Sequence, residues 1–269
     1  VVGLQRRYEN KYIALNNKVI SGDIGKIVSG QVYWNDGGVW VNKRTSSQTE
    51  LEYQMRNWYY FTWVCGDHIL EQHIHNIDVA NWFIGEYPAY AQGMGGREVR
   101  NGKDHGQIFD HHFVEFTYPS GAVISSQCRH QKGTMSRVDE AFQGTKGSIV
   151  MSKGEIKNIS GDITYTYPNT NYWDSDVEPN PYQVEHDRLF ESIRNGNVIS
   201  NAEYGAKSTL AAIMGRMATY TGKKLKWDDV MNSKEILVPE NLSWDSVPPT
   251  IPDSDGNYTI AKPGITKFI

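Results

Sequence analysis

Between residues 89 and 151 the chain carries a succession of short runs built for pleated backbone: Ala89 to Gly93, Gln107 to Tyr118, Ala122 to His130, Arg137 to Gln143 and Ser148 to Met151. Alternation of apolar and polar residues is the pattern of a half-buried β-strand, one face on a core and one toward water. Pro119-Ser120-Gly121 joins the second run to the third, with a ring that presets φ and a glycine that tolerates a tight turn. Short strands in tandem, joined by such turns, pair antiparallel with their neighbours. A doubly wound parallel sheet is therefore not expected here.

Helical segments flank this block. Tyr8, Tyr12, Leu15 and Val19 recur at helical spacing and stop at Ser21-Gly22-Asp23-Ile24-Gly25. Residues 26–34 then read as a strand, broken by Asn35-Asp36-Gly37-Gly38. The aromatic-dense residues 50–63 suit helix and extended chain equally. Asp67 to Ile84 reads as one helix closed by Gly85, and two more, Tyr182 to Asn195 and Ala202 to Thr221, end at Gly196 and Gly222. The expected fold class is α+β, a large, mainly antiparallel open sheet with helices packed on one face. From residue 232 prolines and weak periodicity predict an extended tail, 232–269, packed on the domain or on a neighbouring subunit.

Size and charge narrow the function. A chain of 269 residues, 39% hydrophobic and 12% aromatic, can bury a substantial core. Its net charge of −4, from 27 basic and 31 acidic residues without long runs of either sign, gives no reason to expect a nucleic-acid partner. No apolar run approaches the roughly 20 residues needed to cross a bilayer. Cys65 and Cys128 have neither zinc-type spacing nor the number for a disulfide framework, and both are expected as buried thiols. The opening Val1-Val2-Gly3-Leu4, followed by Gln5-Arg6-Arg7, reads as the last strand and linker of a preceding domain, so residues 1–7 are set apart from a body at 8–231.

Residues 66–82, GDHILEQHIHNIDVANW, hold three of the chain's eight histidines. On one helix His68, Glu71, His75, Asp78 and Trp82 form a stripe, because residues three and four apart share a face. His73 lies roughly 200° from His75 at 3.6 residues per turn, so only one of the two is central. A solvated helix face is the plain alternative. Against it stand the histidine density and the terminal tryptophan, which solvated faces seldom carry. A Glu and a His four apart can hydrogen-bond, orienting the imidazole for proton transfer. His68, Glu71 and His75 could also meet a metal ion, although the HExxH order is absent; no metal is assigned.

In order, Gly66, Glu71, His75, Ile77 and Asp78 resemble a pattern of the Gfo/Idh/MocA oxidoreductases, in which a Gly-led turn precedes an acidic residue, a histidine four residues on, and Ile-Asp. Val2 to Tyr8 is similar to the arginine-bearing connection from that family's dinucleotide-binding domain, and Glu185 to Lys223 to its closing pair of helices. Together these span most of residues 1–225. The resemblance implies hydride transfer between NAD or NADP and a hydroxyl-bearing carbon of a sugar, polyol or glycoside. His75 would take the hydroxyl proton and Glu71 would orient it, or act as a second base, since many relatives carry Asp there. A lysine of the dinucleotide-binding domain, outside this chain, usually assists. The implied cofactor is then held mainly by that domain, and this chain alone is expected to be inactive.

Trp34, Asn35, His68, Asp78 and Arg7 are the expected substrate-binding residues, with Arg7 also a candidate for the cofactor; Trp58, Tyr59 and Tyr60 stand just ahead of the site helix. The rings of His111 and His112 should point to opposite sheet faces. A homo-oligomer through the open sheet face is expected, and the compartment is left between cytoplasm and bacterial periplasm. Two other readings stay open: an NAD-dependent redox glycosidase on the same scaffold, and a non-catalytic sugar-binding or oligomerising module.

Overall fold

The computed structural model describes residues 1–168 and 178–268; Ile269, the last residue of the expected tail, lies outside them. Its helices are α1 (Asn10–Ile20), α2 (Glu50–Arg56), α3 (Thr62–Cys65), α4 (His68–Glu71), α5 (Ile74–Ile84), α6 (Pro181–Asn195), α7 (Ala202–Thr221) and α8 (Trp227–Met231). The strands are β1 (Ile27–Asp36), β2 (Tyr90–Gly96), β3 (His111–Thr117), β4 (Val123–His130), β5 (Arg137–Gly144), β6 (Gly147–Val150), β7 (Glu155–Asn158), β8 (Ile163–Thr166) and β9 (Leu225–Lys226). They form one open sheet in the order β8-β7-β6-β5-β1-β4-β3-β2-β9. Every pairing is antiparallel except β1 with β4.

Period-two alternation sorts the sheet into two faces. Val32, Val114, Phe116, Ile124, Cys128 and Phe142 are buried with residues of α1, α5 and α7 in the main core. α7 lies directly on β3 because Gly215 leaves no side chain there: a Cβ would stand 2.9 Å from Ile69 Cδ1 and 3.1 Å from Phe116 Cζ. The other face is polar and half-buried, with Ser29 bonded to Gln143 at 3.0 Å and Gln92 to Glu115 at 2.9 Å. No helix among the described residues is long and apolar enough to cross a membrane.

Residues 50–63 are helical, α2, a 3-10 turn at Trp58–Tyr60 and α3. Their aromatic rings form a second core, Tyr53, Tyr59, Tyr60, Phe61 and Ile108, capped by Tyr258 of the tail. The tail is fastened to this domain where Thr250 O accepts from Gln54 Nε2 at 2.7 Å and Tyr258 donates to Glu50 at 2.6 Å. Four expectations need correction. Val1–Leu4 form no strand; Leu4 is buried and Val2 packs on Gly205. β7 and β8 continue the sheet beyond the last expected strand. Cys65 is only half-buried, unlike Cys128. The expected single helix over 67–84 is two helices, α4 and α5, because His68 O accepts from both Gln72 N and His73 N, at 3.1 Å each, which inserts a wide turn between them.

Candidate active site

Gly66, at φ +79°, ends α3, and Asp67 follows at φ +89°, the one non-glycine residue with positive φ among those described. Its carboxylate, fully buried, holds that conformation. Oδ1 accepts from His68 N and, at 2.8 Å, from His68 Nδ1; Oδ2 accepts from the Tyr220 hydroxyl and, at 3.0 Å, from Phe109 N, with His112 Nε2 3.3 Å away. Burial alone would push this carboxyl up, but the His112 and His68 rings outweigh it and hold it well below the usual carboxylate range. Asp67 thus starts α4 and fixes the direction in which the site helix leaves.

The wide turn after α4 divides the expected stripe. His68 (0% exposed) and Asp78 (1%) turn inward, while Glu71 and His75 stay half-buried at the surface. His73 faces the core, 2.7 Å from Ser126 Oγ. No hydrogen bond joins Glu71 to His75: Glu71 Oε2 and His75 Nδ1 both lack partners. The expected i, i+4 contact fails because the two residues sit on different helices. His68, Glu71 and His75 do not converge on an ion position either. Among the described residues the one convergent ligand set is Asp67, His68 and His112, whose carboxylate is already engaged by the donors named above.

His75 lies beside Trp34, ring centroids 6.0 Å apart. Burial, then the nearby charge of Arg6, lowers its pKa to about 4, so the ring is a neutral base at neutral pH. Arg6 is set by an ion pair to fully buried Glu140, which also accepts from the Tyr12 hydroxyl at 2.8 Å and Asn76 Nδ2 at 2.7 Å. The Arg6 guanidinium stands 5.9 Å from the Trp34 ring. Burial raises the Glu71 carboxyl, and the Tyr59 hydroxyl beside it pulls the other way. Burial also raises Glu9, behind Arg6, to about 7.

A histidine titration of this chain by NMR is expected to show the His75 Hε1 resonance moving with a midpoint of about 4; a midpoint near 6.5 would contradict the half-buried setting. The folded-state value lies below the unfolded one, so the unfolded chain binds the extra proton. The stability contributed by the neutral ring is full above pH 6.5 and falls away as pH drops toward about 4.

The structure sets Trp34 beside His75 and leaves Glu71 half-buried beside Tyr59, while the other expected residues engage partners of their own. Asn35 neighbours Trp34 in sequence but points to the opposite sheet face, 3.5 Å from Gln127, as strand alternation requires. His68 is sealed against Asp67 and stacks on His130 at 4.6 Å. Arg7 and Asp78 engage each other through two 2.8 Å bonds, Asp78 accepts from Ser208 at 2.7 Å, and the Arg7 guanidinium lies 3.9 Å over Tyr204. That pair ties the 3-10 turn at Gln5–Tyr8 to α5 and α7. Asp78 is buried, while Arg7 stays half-buried. Arg6, Tyr59 and Asp67 were not singled out for these roles by the sequence; the Gly-Asp pair before the site helix was the available signal for Asp67.

The family model for the GFO/IDH/MocA C-terminal domain matches residues 12–150, more than half of the chain. The chain belongs to the GFO/IDH/MocA family. The GFO/IDH/MocA fold is also that of its structural relatives. The aldose-aldose oxidoreductase of Caulobacter crescentus, complexed with glycerol, superposes with a TM-score of 0.63 at 17% identity, covering 84% of this chain and 63% of that one. A levoglucosan dehydrogenase in complex with NADH gives 0.62 at 17%, over 84% and 65%. An oxidoreductase from Agrobacterium radiobacter in complex with NAD+, L-tartaric acid and magnesium gives 0.61 at 16%, over 85% and 65%. The chain therefore spans less than two thirds of these GFO/IDH/MocA structures. No curated protein matches it.

Proposed function

We propose that this chain is the substrate-binding half of an NAD(P)-dependent oxidoreductase that transfers a hydride between a nicotinamide and a hydroxyl-bearing carbon of a sugar, polyol or glycoside. The observation that carries the reading is His75, a neutral imidazole half-buried against the indole of Trp34. A base of that kind takes the hydroxyl proton as the C–H hydrogen leaves with its electron pair, and the carbinol becomes a carbonyl. The indole offers a face for the C–H side of a sugar ring. Family membership supports the reaction class, as do the relatives whose structures hold NADH, NAD+ and glycerol.

This chemistry fits a nicotinamide, which when bound supplies the hydride acceptor. The Gly-rich strand-to-helix turn that cradles a pyrophosphate is not formed among the described residues, so the dinucleotide is assigned to a domain outside them. The parallel pair β1–β4 belongs to an otherwise antiparallel sheet. We also assign the open polar face of that sheet to a contact between copies of the chain.

A second reading has its own support. Glu71 is not bound to His75, and its carboxyl is raised by burial, which suits a separate acid or base for breaking a glycosidic bond after transient oxidation. Following free NADH during turnover separates the two. NADH formed in step with product fits a dehydrogenase; glycoside cleavage without net NADH fits the redox glycosidase.

A further inference from the structure

β1 and β4 run parallel and end side by side, and beyond their ends opens a pocket of about 320 Å³. Its wall holds Arg100, His105, His130 and Lys132, with Tyr60 and the Gly37-Gly38 turn, and no carboxylate among the described residues. Arg100 is 4% exposed, yet no described carboxylate lies within ion-pair distance of it. It donates instead to Phe109 O and, at 2.6 Å, to His130 Nδ1. The buried carboxylates of this corner are turned to other donors, Asp67 as described above and Asp110 to His111 and to the backbone N–H groups of Glu98, Val99 and Arg100. A buried cation without a counter-ion is costly, and a ligand that supplies the missing charge relieves that cost.

The pocket adjoins the candidate active site. Because Arg100 only donates, His130 Nδ1 must accept, which leaves Nε2–H to donate to Gln72 Oε1 at 2.8 Å, next to Glu71. The His130 ring also stacks on Tyr59 at 5.9 Å, whose hydroxyl stands beside Glu71. Trp34, on the other side, lies on the strand that leads into the Gly37-Gly38 turn.

We propose that this pocket receives an anionic substituent of the sugar, a carboxylate or a sulfate ester, so that the substrate is an acidic saccharide. The inference rests on the sugar reading above and narrows it. Arg100 forms the floor and Lys132 closes the rim from an exposed position; His105, whose Nδ1–H donates to Asn101 O at 2.7 Å, lines the wall without a proton to offer.

Calorimetric titration of the intact protein with methyl β-D-glucuronide, methyl β-D-glucoside and ADP tests it, with Lys132→Glu as the variant, at an exposed position outside the core. The expected result is glucuronide binding at least about tenfold tighter than glucoside, an advantage that shrinks with added salt and is lost in Lys132→Glu while glucoside binding stays the same. Equal affinity for the two glycosides overturns the anion pocket and leaves the sugar reading standing. Binding of neither glycoside overturns both. Tight, Lys132-dependent binding of ADP without glucuronide binding gives the pocket to a nucleotide and overturns the assignment.

Discussion

Replacing His75 by glutamine in the intact protein is expected to lower kcat by about 10²–10⁴-fold, the usual contribution of a positioned general base, while KM for the sugar changes only a few-fold. Glutamine keeps much of the ring's volume against Trp34, so the indole platform stays in place, but it cannot accept a proton at neutral pH. Steady-state kinetics of the variant beside Trp34→Ala makes the comparison informative. The tryptophan variant removes a binding face and should act chiefly through KM. A His75→Gln enzyme with kcat within threefold of the parent would mean that the hydroxyl proton leaves by another route, with Glu71 the next residue to examine.

The second large effect is expected at Asp67. Truncation to alanine leaves the His68 and Phe109 N–H groups, the His68 ring and the Tyr220 hydroxyl without their acceptor, and places alanine at φ +89°. Removing one partner of a buried charged network costs about 3–5 kcal/mol. Asp67→Asn keeps the shape but turns an amide NH₂ toward groups that themselves donate, and should cost about 1–3 kcal/mol. Urea unfolding monitored by tryptophan fluorescence gives both values. Losses below about 1 kcal/mol in both variants would show that Asp67 does not hold the turn. Because this turn aims α4, the asparagine variant should also lose activity without a change at His75 itself.

Much of the frame was readable because the pattern and the fold obey the same local rule. The runs at 107–118 and 122–130 alternate cleanly and became β3 and β4, and α7 carries its cap glycine where the periodicity stops. β7 escaped notice because Ile156 is the one residue of Glu155–Asn158 that reaches the core, too little to register as alternation. The 50–63 segment was ambiguous for the opposite reason. Its rings are enclosed on several sides, by Ile108 and by Tyr258 from the far end of the chain, so no periodicity marks a wet face.

The candidate site was legible only in part, and distance along the chain explains the rest. Glu71 and His75 lie in one motif and emerged together. The break between α4 and α5 depends on a carbonyl shared by two N–H groups, which residue spacing does not reveal, and it turned His68 and Asp78 inward. Arg7 drew attention over Arg6, and the structure reverses their order because Asp78 and Tyr204 take the first and Glu140 directs the second. Arg100 and His130 lie 30 residues apart, on a loop and a strand end that only the tertiary fold brings beside Gln72.

The central claim is that His75 accepts the hydroxyl proton while the hydrogen on the same carbon leaves as hydride. The most direct measurement uses the intact protein with NAD or NADP and a sugar substrate deuterated at the carbon that becomes the carbonyl. The expected result is deuterium on the nicotinamide ring, seen by mass spectrometry of the reduced cofactor during a single turnover, and loss of that transfer in His75→Gln. Deuterium released to solvent, with none ever reaching the nicotinamide, would contradict it.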